Sequence, residues 1–472
     1  MDEGNPRADL AALARARGCE LVALRFTDLL GRWLAISAWT RGLAPGAATL
    51  SCASSNVAGW GGLQGSDLAV RADPATALVD PFAARPTLLV LGEALDASGL
   101  RASPMDPRAT LARAMERLRA SGVADELRVG VELEFYLFDD VRFRVAADEC
   151  SFRVEERDSL ENAARARPGG NRGHRVGYAS QHLAGAPLDV DAGWRAELLA
   201  MADRLGLEPL GHQHEAGPGQ HEIALGHAPA LRAADRIQLG KWMVLNAAAA
   251  AGRSATFMPK PLPYKPGSGM HLNVSLWRGG APLFAAPGGG EALMRGFVGG
   301  VFAHMRALGA IANPGTNSFR RLAQLQAPGT PLAWGEANRA AAIRVPRAGA
   351  PEALRLELRF PDAAANPYLA IAAIAMAGLD GILRGLDPGP RRDDDPRRAA
   401  GAAWDVRRRA PDGPAFDLAE AILALDADRG FLEEGGVFDG ALVEALVLEL
   451  NRQLRVCRAL PHPNEYYMYF SA

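Results

Sequence analysis

Apolar and polar positions change rhythm repeatedly along this chain, and each rhythm predicts an element. Residues 8–18, "ADLAALARARG", have helical spacing and close on Gly18. "ELVALRF" then alternates as a strand does, and "TDLLGRWLAIS" reads as a turn and a second strand. Gly, Ser and Ala fill residues 42–66, which predicts a long loop, and "TLLVLGEAL" (87–95) predicts another strand. "DASGLRASPMDP" is dense in turn formers and places a domain boundary near residue 104, giving segments 1–103 and 104–472. The second segment opens on a helix, with Asp106 as its cap, Pro107 in its first turn and Gly122 past its end. Strands follow in "RVGVELEFYLF", "GQHEIALGH", "GMHLNVSLW" and "ALRLELRF". Helices alternate with them in "GWRAELLAMADRLGL", "AADRIQLGKWMVLNAAAAAG" and "PYLAIAAIAMAGLDGILRG".

The strands share an oddity. In a strand, side chains alternate between faces, so Val131, Leu133 and Phe135 point one way and Glu132 and Glu134 the other, roughly 7 Å apart. "QHEIAL" places Glu222 in a strand, with Glu215 seven residues earlier at a Gly/Pro turn. His271 shares a face with Asn273 and Ser275, and Arg355, Glu357 and Arg359 share another opposite three leucines. Taken singly, an acid pair is a solvated face, a lone His is a satisfied core residue, and Arg–Glu–Arg is a surface ladder. Taken together, they describe one sheet whose far face lines a polar cavity. Five carboxylates and an imidazole there would repel one another unless cations were present. Hard oxygen donors with one imidazole suit Mg²⁺ or Mn²⁺ better than zinc.

Arg321, Arg339, Arg344, Arg355 and Arg359 crowd into one stretch of the sequence, and guanidinium forks suit carboxylate and phosphate. Metals with arginines are the equipment of phosphoryl transfer. A metal-dependent hydrolase is the rival at this point, and it would turn over without ATP. No Walker or dinucleotide fingerprint occurs, so a nucleotide would be held in another way.

Composition narrows the class. With 472 residues, 49% of them hydrophobic, the chain can build more than one core. A net charge of -2 offers no positive surplus for nucleic acid or a membrane surface. Cys19, Cys52, Cys150 and Cys457 are scattered without a CxxC pair, which fits a reducing, cytoplasmic setting. The N-terminus is acidic and polar, unlike a secretory signal. The Ala-rich run 370–379 is too short to span a membrane and reads as a buried helix.

"GVELEFYLFDD", "GGNRGHR", "HEAGPGQHE", "ATFMPKP", "GSGMHLNVSL", "NPGTNSFRRL", "NRAAAIRVP", "LELRFPDAAANPYLA" and "PHPNEYY" resemble, in order, the motifs of the glutamine synthetase family, type I. "RFTDLLGR" and "AGWGGLQGSD" resemble its N-terminal domain. The resemblance implies an α+β fold: a small N-terminal β-grasp domain and a large catalytic domain with a curved antiparallel sheet. It implies double-ring dodecamers with active sites between subunits. Carried over motif by motif, Glu134, Glu215 and Glu222 would hold one metal, and Glu132, His271 and Glu357 another. Arg321, Arg359 and the loop at Gly267 match glutamate-binding positions. Ser275, Arg339, Arg344 and Arg355 match positions that contact nucleotide or phosphate, and Arg321, Arg339 and Arg359 would serve the reaction itself. The implied chemistry runs from ATP and glutamate through a γ-glutamyl phosphate to an amide.

The departures concern the amine. Ammonia-using members carry an acid in an "FDGSS"-like stretch; here "TLSCASSNVAGW" offers Cys52 or Ala53. The flap glutamate is replaced by Gln326 or Ala327, and Tyr178 or His182 stands for a tyrosine of the ammonium site. Losing two carboxylates, each contact worth ~1.5–3 kcal/mol, weakens ammonium binding. The expected activity is therefore γ-glutamyl amide formation with an organic amine. The alternatives are an ordinary glutamine synthetase and a non-catalytic member, which would have no need of six ligands. Pro266 stands where an asparagine contacts glutamate, and Glu352 where a nucleotide-contacting lysine is common. "RRDDDPRRAA" has no tyrosine for adenylylation.

Overall fold

The computed structural model describes residues 9–60, 67–96, 98–166, 170–171, 173, 175, 182–325, 332–336, 338–393 and 413–469. Gln326, Ala327 and Tyr178 lie outside these. Helix α1 (Leu10–Ala16) starts where Asp9 accepts the Ala12 N–H. It precedes a five-stranded sheet of β1 (Leu21–Thr27), β2 (Trp33–Trp39), β3 (Thr49–Ala53), β4 (Asp67–Val79) and β5 (Thr87–Ala94). The strand order is β2-β1-β5-β4-β3, with β1 and β5 parallel. The β1–β2 turn is tied by Asp28, whose carboxylate accepts from the Leu30 and Arg32 N–H groups. Leu10, Val22, Leu24, Val70, Leu88 and Val90 form the apolar core of this region.

One strand here differs from the expectation, and a second was not read from the sequence. Residues 42–66 were expected to be loop, yet β3 lies within them; its Leu50 and Cys52 alternate with exposed Thr49, Ser51 and Ala53, an edge strand of small residues. Strand β4 contains Pro74, which argues against a strand, but the register shifts between Asp73 and Leu78 and absorbs the proline.

Helix α2 (Pro107–Ala120) has the expected ends: Asp106 accepts the Ala109 N–H, and Gly122 follows with φ +71. Asp106 also accepts the Ala94 N–H at 2.7 Å, so the cap doubles as a link to β5. Next comes β6 (Glu126–Phe138), the middle of a nine-stranded sheet. A hairpin follows, β7 (Asp140–Val145) and β8 (Cys150–Glu155), then α3 (Ala192–Arg204), β9 (Pro209–His214), β10 (Gln220–Pro229), α4 (Ala230–Ala250) and β11 (Ser254–Thr256). The sheet is completed by β12 (Met270–Arg278), β13 (Ala281–Pro282), β14 (Trp334–Gly335), β15 (Ile343–Arg344) and β16 (Leu356–Leu358), in the order β14-β15-β16-β12-β6-β10-β9. Strand β16 is three residues long, shorter than "ALRLELRF" suggests. Among the described pairs of this nine-stranded sheet only β14–β15 is parallel.

Helices α5 (Gly290–Ala303), α6 (Met305–Ala312) and α8 (Pro367–Arg384), with α7 (Thr316–Leu325) between them in sequence, belong to the C-terminal half. Helix α8 is long and apolar enough to cross a membrane, but 78% of that window is buried inside the fold, as expected of a core helix. The inner residues of β6 (Val129, Val131, Leu133, Phe135), β10 (Ile223, Leu225) and β12 (Leu272, Val274, Leu276) join the main core with α4 and α8. That core fixes which face the strands' polar residues occupy.

Candidate active site

Register builds the site. On β6, Glu132 lies opposite His271 of β12, and Glu134 opposite Glu222 of β10. Asn273 pairs with Glu357 on β16, and Gln213 of β9 pairs with Glu222. Because side chains alternate with a period of two, all of these share the face opposite the core. The six residues that sequence reasoning singled out thus meet on one wall.

The distances are short. His271 Nδ1 lies 3.0 Å from Glu132 Oε2, and its Nε2 lies 3.6 Å from Glu134 Oε1. One donor atom each from Glu132, Glu222 and His271 come within 4.8 Å of one another, and so do those of Glu134, Glu215 and Glu222. The second trio is the one expected. In the first, Glu222 takes the corner expected of Glu357. Glu357 instead receives Arg344 Nη1 at 2.7 Å and pairs with Arg359, while its Oε1 stays 3.9 Å from His271 Nδ1.

Electrostatics follow from this crowding. Burial, then the charges of Glu134, Glu132, Glu215 and Glu357, push the Glu222 carboxyl up to about 9. Burial also opposes ionisation of Glu132, but His271, Asn273 and Arg359 outweigh it and draw that carboxyl down to about 2. Burial and Glu134 raise Glu215. A wall that makes one of its own acids this hard to ionise is suited to divalent cations, and the donor set of carboxylates plus one imidazole fits Mg²⁺ or Mn²⁺.

The arginines divide. Arg344 and Arg359 face Glu357, and Arg355 Nε donates to Asn273 Oδ1 at 2.9 Å. Arg321 is 2% exposed and donates to the carbonyls of Phe360, Pro361 and Arg359, so it shapes the segment that carries Arg359. Arg339 is exposed on a turn. Ser275 is buried and accepts the Trp277 indole N–H at 2.8 Å. At Gly267 an added Cβ would meet Arg321 Cγ at 2.6 Å, so only glycine lets this backbone pass so close to the arginine.

Several supporting residues were not predicted. Gln213 Nε2 donates to Glu215 at 2.8 Å and to Glu222 at 3.0 Å, bridging the two acids. Alternation in "HQHE" would have put Gln213 on the acidic face. The Gly269 N–H donates to Glu134 Oε2 at 2.7 Å, and Asn273 Nδ2 to Glu132 Oε1 at 3.1 Å. His182, one of two candidates for the amine side, lies with Nδ1 3.6 Å from Glu215 Oε2.

Known proteins resemble this chain over most of its length. Residues 104–469 match the family described as glutamine synthetase, catalytic domain. The chain is 39% identical over 423 residues to glutamine synthetase of Vibrio cholerae, covering 88% of this chain and 89% of that one. It is 38% identical over 425 residues to glutamine synthetase of Escherichia coli K12, with the same coverage of 88% and 89%. Its fold is similar to Plasmodium falciparum glutamine synthetase, with a TM-score of 0.87 at 22% identity over 99% of both chains. Ligand-free GmaS superposes with a TM-score of 0.79 at 30% identity, over 98% of this chain and 100% of that one. The chain belongs to the glutamine synthetase family and is an ATP-dependent ligase of that type.

Proposed function

We propose that this enzyme joins glutamate to an organic amine, using ATP and passing through γ-glutamyl phosphate. The observation that carries the amine choice is the neutral pair Cys52–Ala53 at the end of β3, where ammonia-using members resemble one another in carrying an acid. The reading of glutamate and ATP rests on the acid wall, the arginines and the kinship with enzymes named glutamine synthetase. A GmaS complex with ADP, 29% identical, supports a nucleotide in this fold.

In this mechanism Glu134, Glu215 and Glu222 would hold one divalent cation and Glu132, His271 and Glu357 the other, with Glu222 close enough to Glu132 and His271 to be shared between the two. Bound there, the cations would offset charge on the γ-phosphate and on the glutamate carboxylate it approaches. Arg339, Arg344 and Arg355 would grip phosphate oxygens, and Ser275 would border the nucleotide. Arg359, held near the acids by Glu357, and the Gly267 loop, braced by Arg321, would orient glutamate. The γ-carboxylate oxygen attacks the γ-phosphorus and ADP leaves. The neutral amine then attacks the acyl carbon, phosphate departs, and the amine's proton passes to a base on the pocket wall. Free cysteines and a reducing, cytoplasmic setting accompany this reading. Exposed Phe143, Phe152, Tyr466, Met468 and Tyr469 support an assembly, which we take to be the double ring of twelve.

One observation favours ammonia instead. Asp67 of β4 pairs in register with Ala53, so a carboxylate does stand beside the neutral pair. Amine-dependent phosphate release separates the two readings, using ammonium, methylamine, ethanolamine, putrescine and spermidine. The proposal expects an organic amine to give a kcat/KM at least tenfold above ammonium. Saturation by ammonium at about 1 mM, the upper end of the usual KM range, lost in Asp67→Asn, would establish the ammonia reading.

A further inference from the structure

Behind the acidic wall the same strands carry a second polar layer. His214 pairs in register with His221, one residue before Glu215 and Glu222 respectively, so both imidazoles point away from the acids. They are 2% and 0% exposed. His214 Nε2 lies 2.8 Å from Asp158 Oδ2, and its Nδ1 lies 2.6 Å from the Glu215 carbonyl oxygen. The same Asp158 oxygen accepts the Gly219 N–H at 3.0 Å. Gly219 in turn accepts the Leu137 N–H at 2.8 Å through its carbonyl. It has φ +65, and an added Cβ would meet Glu156 Cβ and the Leu137 carbonyl, each at 2.9 Å. His221 Nδ1 lies 2.9 Å from Arg195 Nη1, and Asp191 beside it receives Arg253 Nη1 at 2.6 Å.

Burying this many charges is less favourable than packing apolar side chains of similar volume. The layer is placed where position matters most: directly under the turn that joins Glu215 to Glu222. Asp158 bonds both to His214, just before that turn, and to Gly219, within it. We propose that Asp158 is a positioning residue that sets the spacing of Glu215 and Glu222, and hence the affinity of the site for divalent cations. Supporting residues that orient metal ligands commonly contribute 10–100-fold in affinity. The inference rests on the cation-site reading above.

The test is Mn²⁺ titration calorimetry on the metal-stripped, full-length enzyme. Asp158→Asn keeps the side chain's shape and an acceptor for Gly219, but loses the charge that orients His214. It should bind Mn²⁺ about 10-fold more weakly, raise the Mn²⁺ concentration for half-maximal rate, and leave kcat at saturating Mn²⁺ near normal. His214→Gln, which removes the imidazole joining Asp158 to the Glu215 carbonyl but leaves the Asp158–Gly219 bond, should weaken binding severalfold. Wild-type Mn²⁺ affinity in both variants overturns the inference, and so does failure of both to fold, which marks a purely structural role. Glu215→Gln separates the two claims: if it too binds Mn²⁺ normally, the cation site itself is misplaced.

Discussion

At the scale of single residues, Glu222 is the most informative. It belongs to both trios of donor atoms, and it carries the strongest resolved upward shift of the wall's carboxyls, to about 9. Glu222→Gln should therefore remove more than one cation's worth of binding. We expect Mn²⁺ affinity to fall by about 100-fold or more, the upper end of the loss for a supporting residue, with fold intact by circular dichroism. Normal Mn²⁺ stoichiometry in that variant would contradict the shared corner. Glu132, Glu134, Glu222, His271 and Glu357 were legible as one polar face because period-two alternation gives that face directly, whereas Glu215 at a turn, Arg321 on α7 and Arg339 on a turn lie outside that rule. Asp158 was not, because its importance arises where a loop, a strand and a turn meet, and no local pattern announces such a meeting. Glu357 was legible as a residue of the polar face, but its partnership with Arg344 was not, since that pairing spans two strands.

At the scale of elements, local chemistry decided what could be read. Helix α2 was readable end to end because its cap, its proline and its terminal glycine agree. Strands β3 and β4 were obscured by small residues and by Pro74, and only pairing with β5 and with each other explains them. The α5–α6 junction hides a clamp of the same kind. His304 lies 2.7 Å from Asp428 Oδ2 through Nδ1 and 2.9 Å from Asp380 Oδ2 through Nε2, and its ring stacks on Phe431. Burial would lower its pKa, but the bonds to Asp428 and Asp380 outweigh burial and raise it above 6.5. A raised folded-state pKa gives stability that is fully present below pH 6.5 and is lost as pH rises through the folded value. Thermal melts of His304→Gln should show a deficit of about 1–2 kcal/mol at mildly acidic pH, narrowing as the solution becomes alkaline. A deficit independent of pH would mean the ring acts by packing alone.

At the scale of the whole molecule, the chain is a ligase built on one large sheet, with its polar face given to chemistry and its apolar face to the core. The apolar side chains left exposed on the β7–β8 hairpin and on Pro463–Tyr469 call for an assembly partner. Mass photometry should find a particle of twelve 50.0 kDa chains, and dissociation into monomers at micromolar protein would contradict the ring. The central claim is that this wall transfers a phosphoryl group from ATP to glutamate before any amine reacts. Positional isotope exchange in ATP labelled with heavy oxygen at the β,γ-bridge measures that step alone. With Mg²⁺ or Mn²⁺, glutamate and no amine, the bridge label should scramble into non-bridging positions, and should stop when glutamate is withheld or Glu357 is changed to Ala. An enzyme that makes product when the amine is added, yet never scrambles the label without it, would contradict the account.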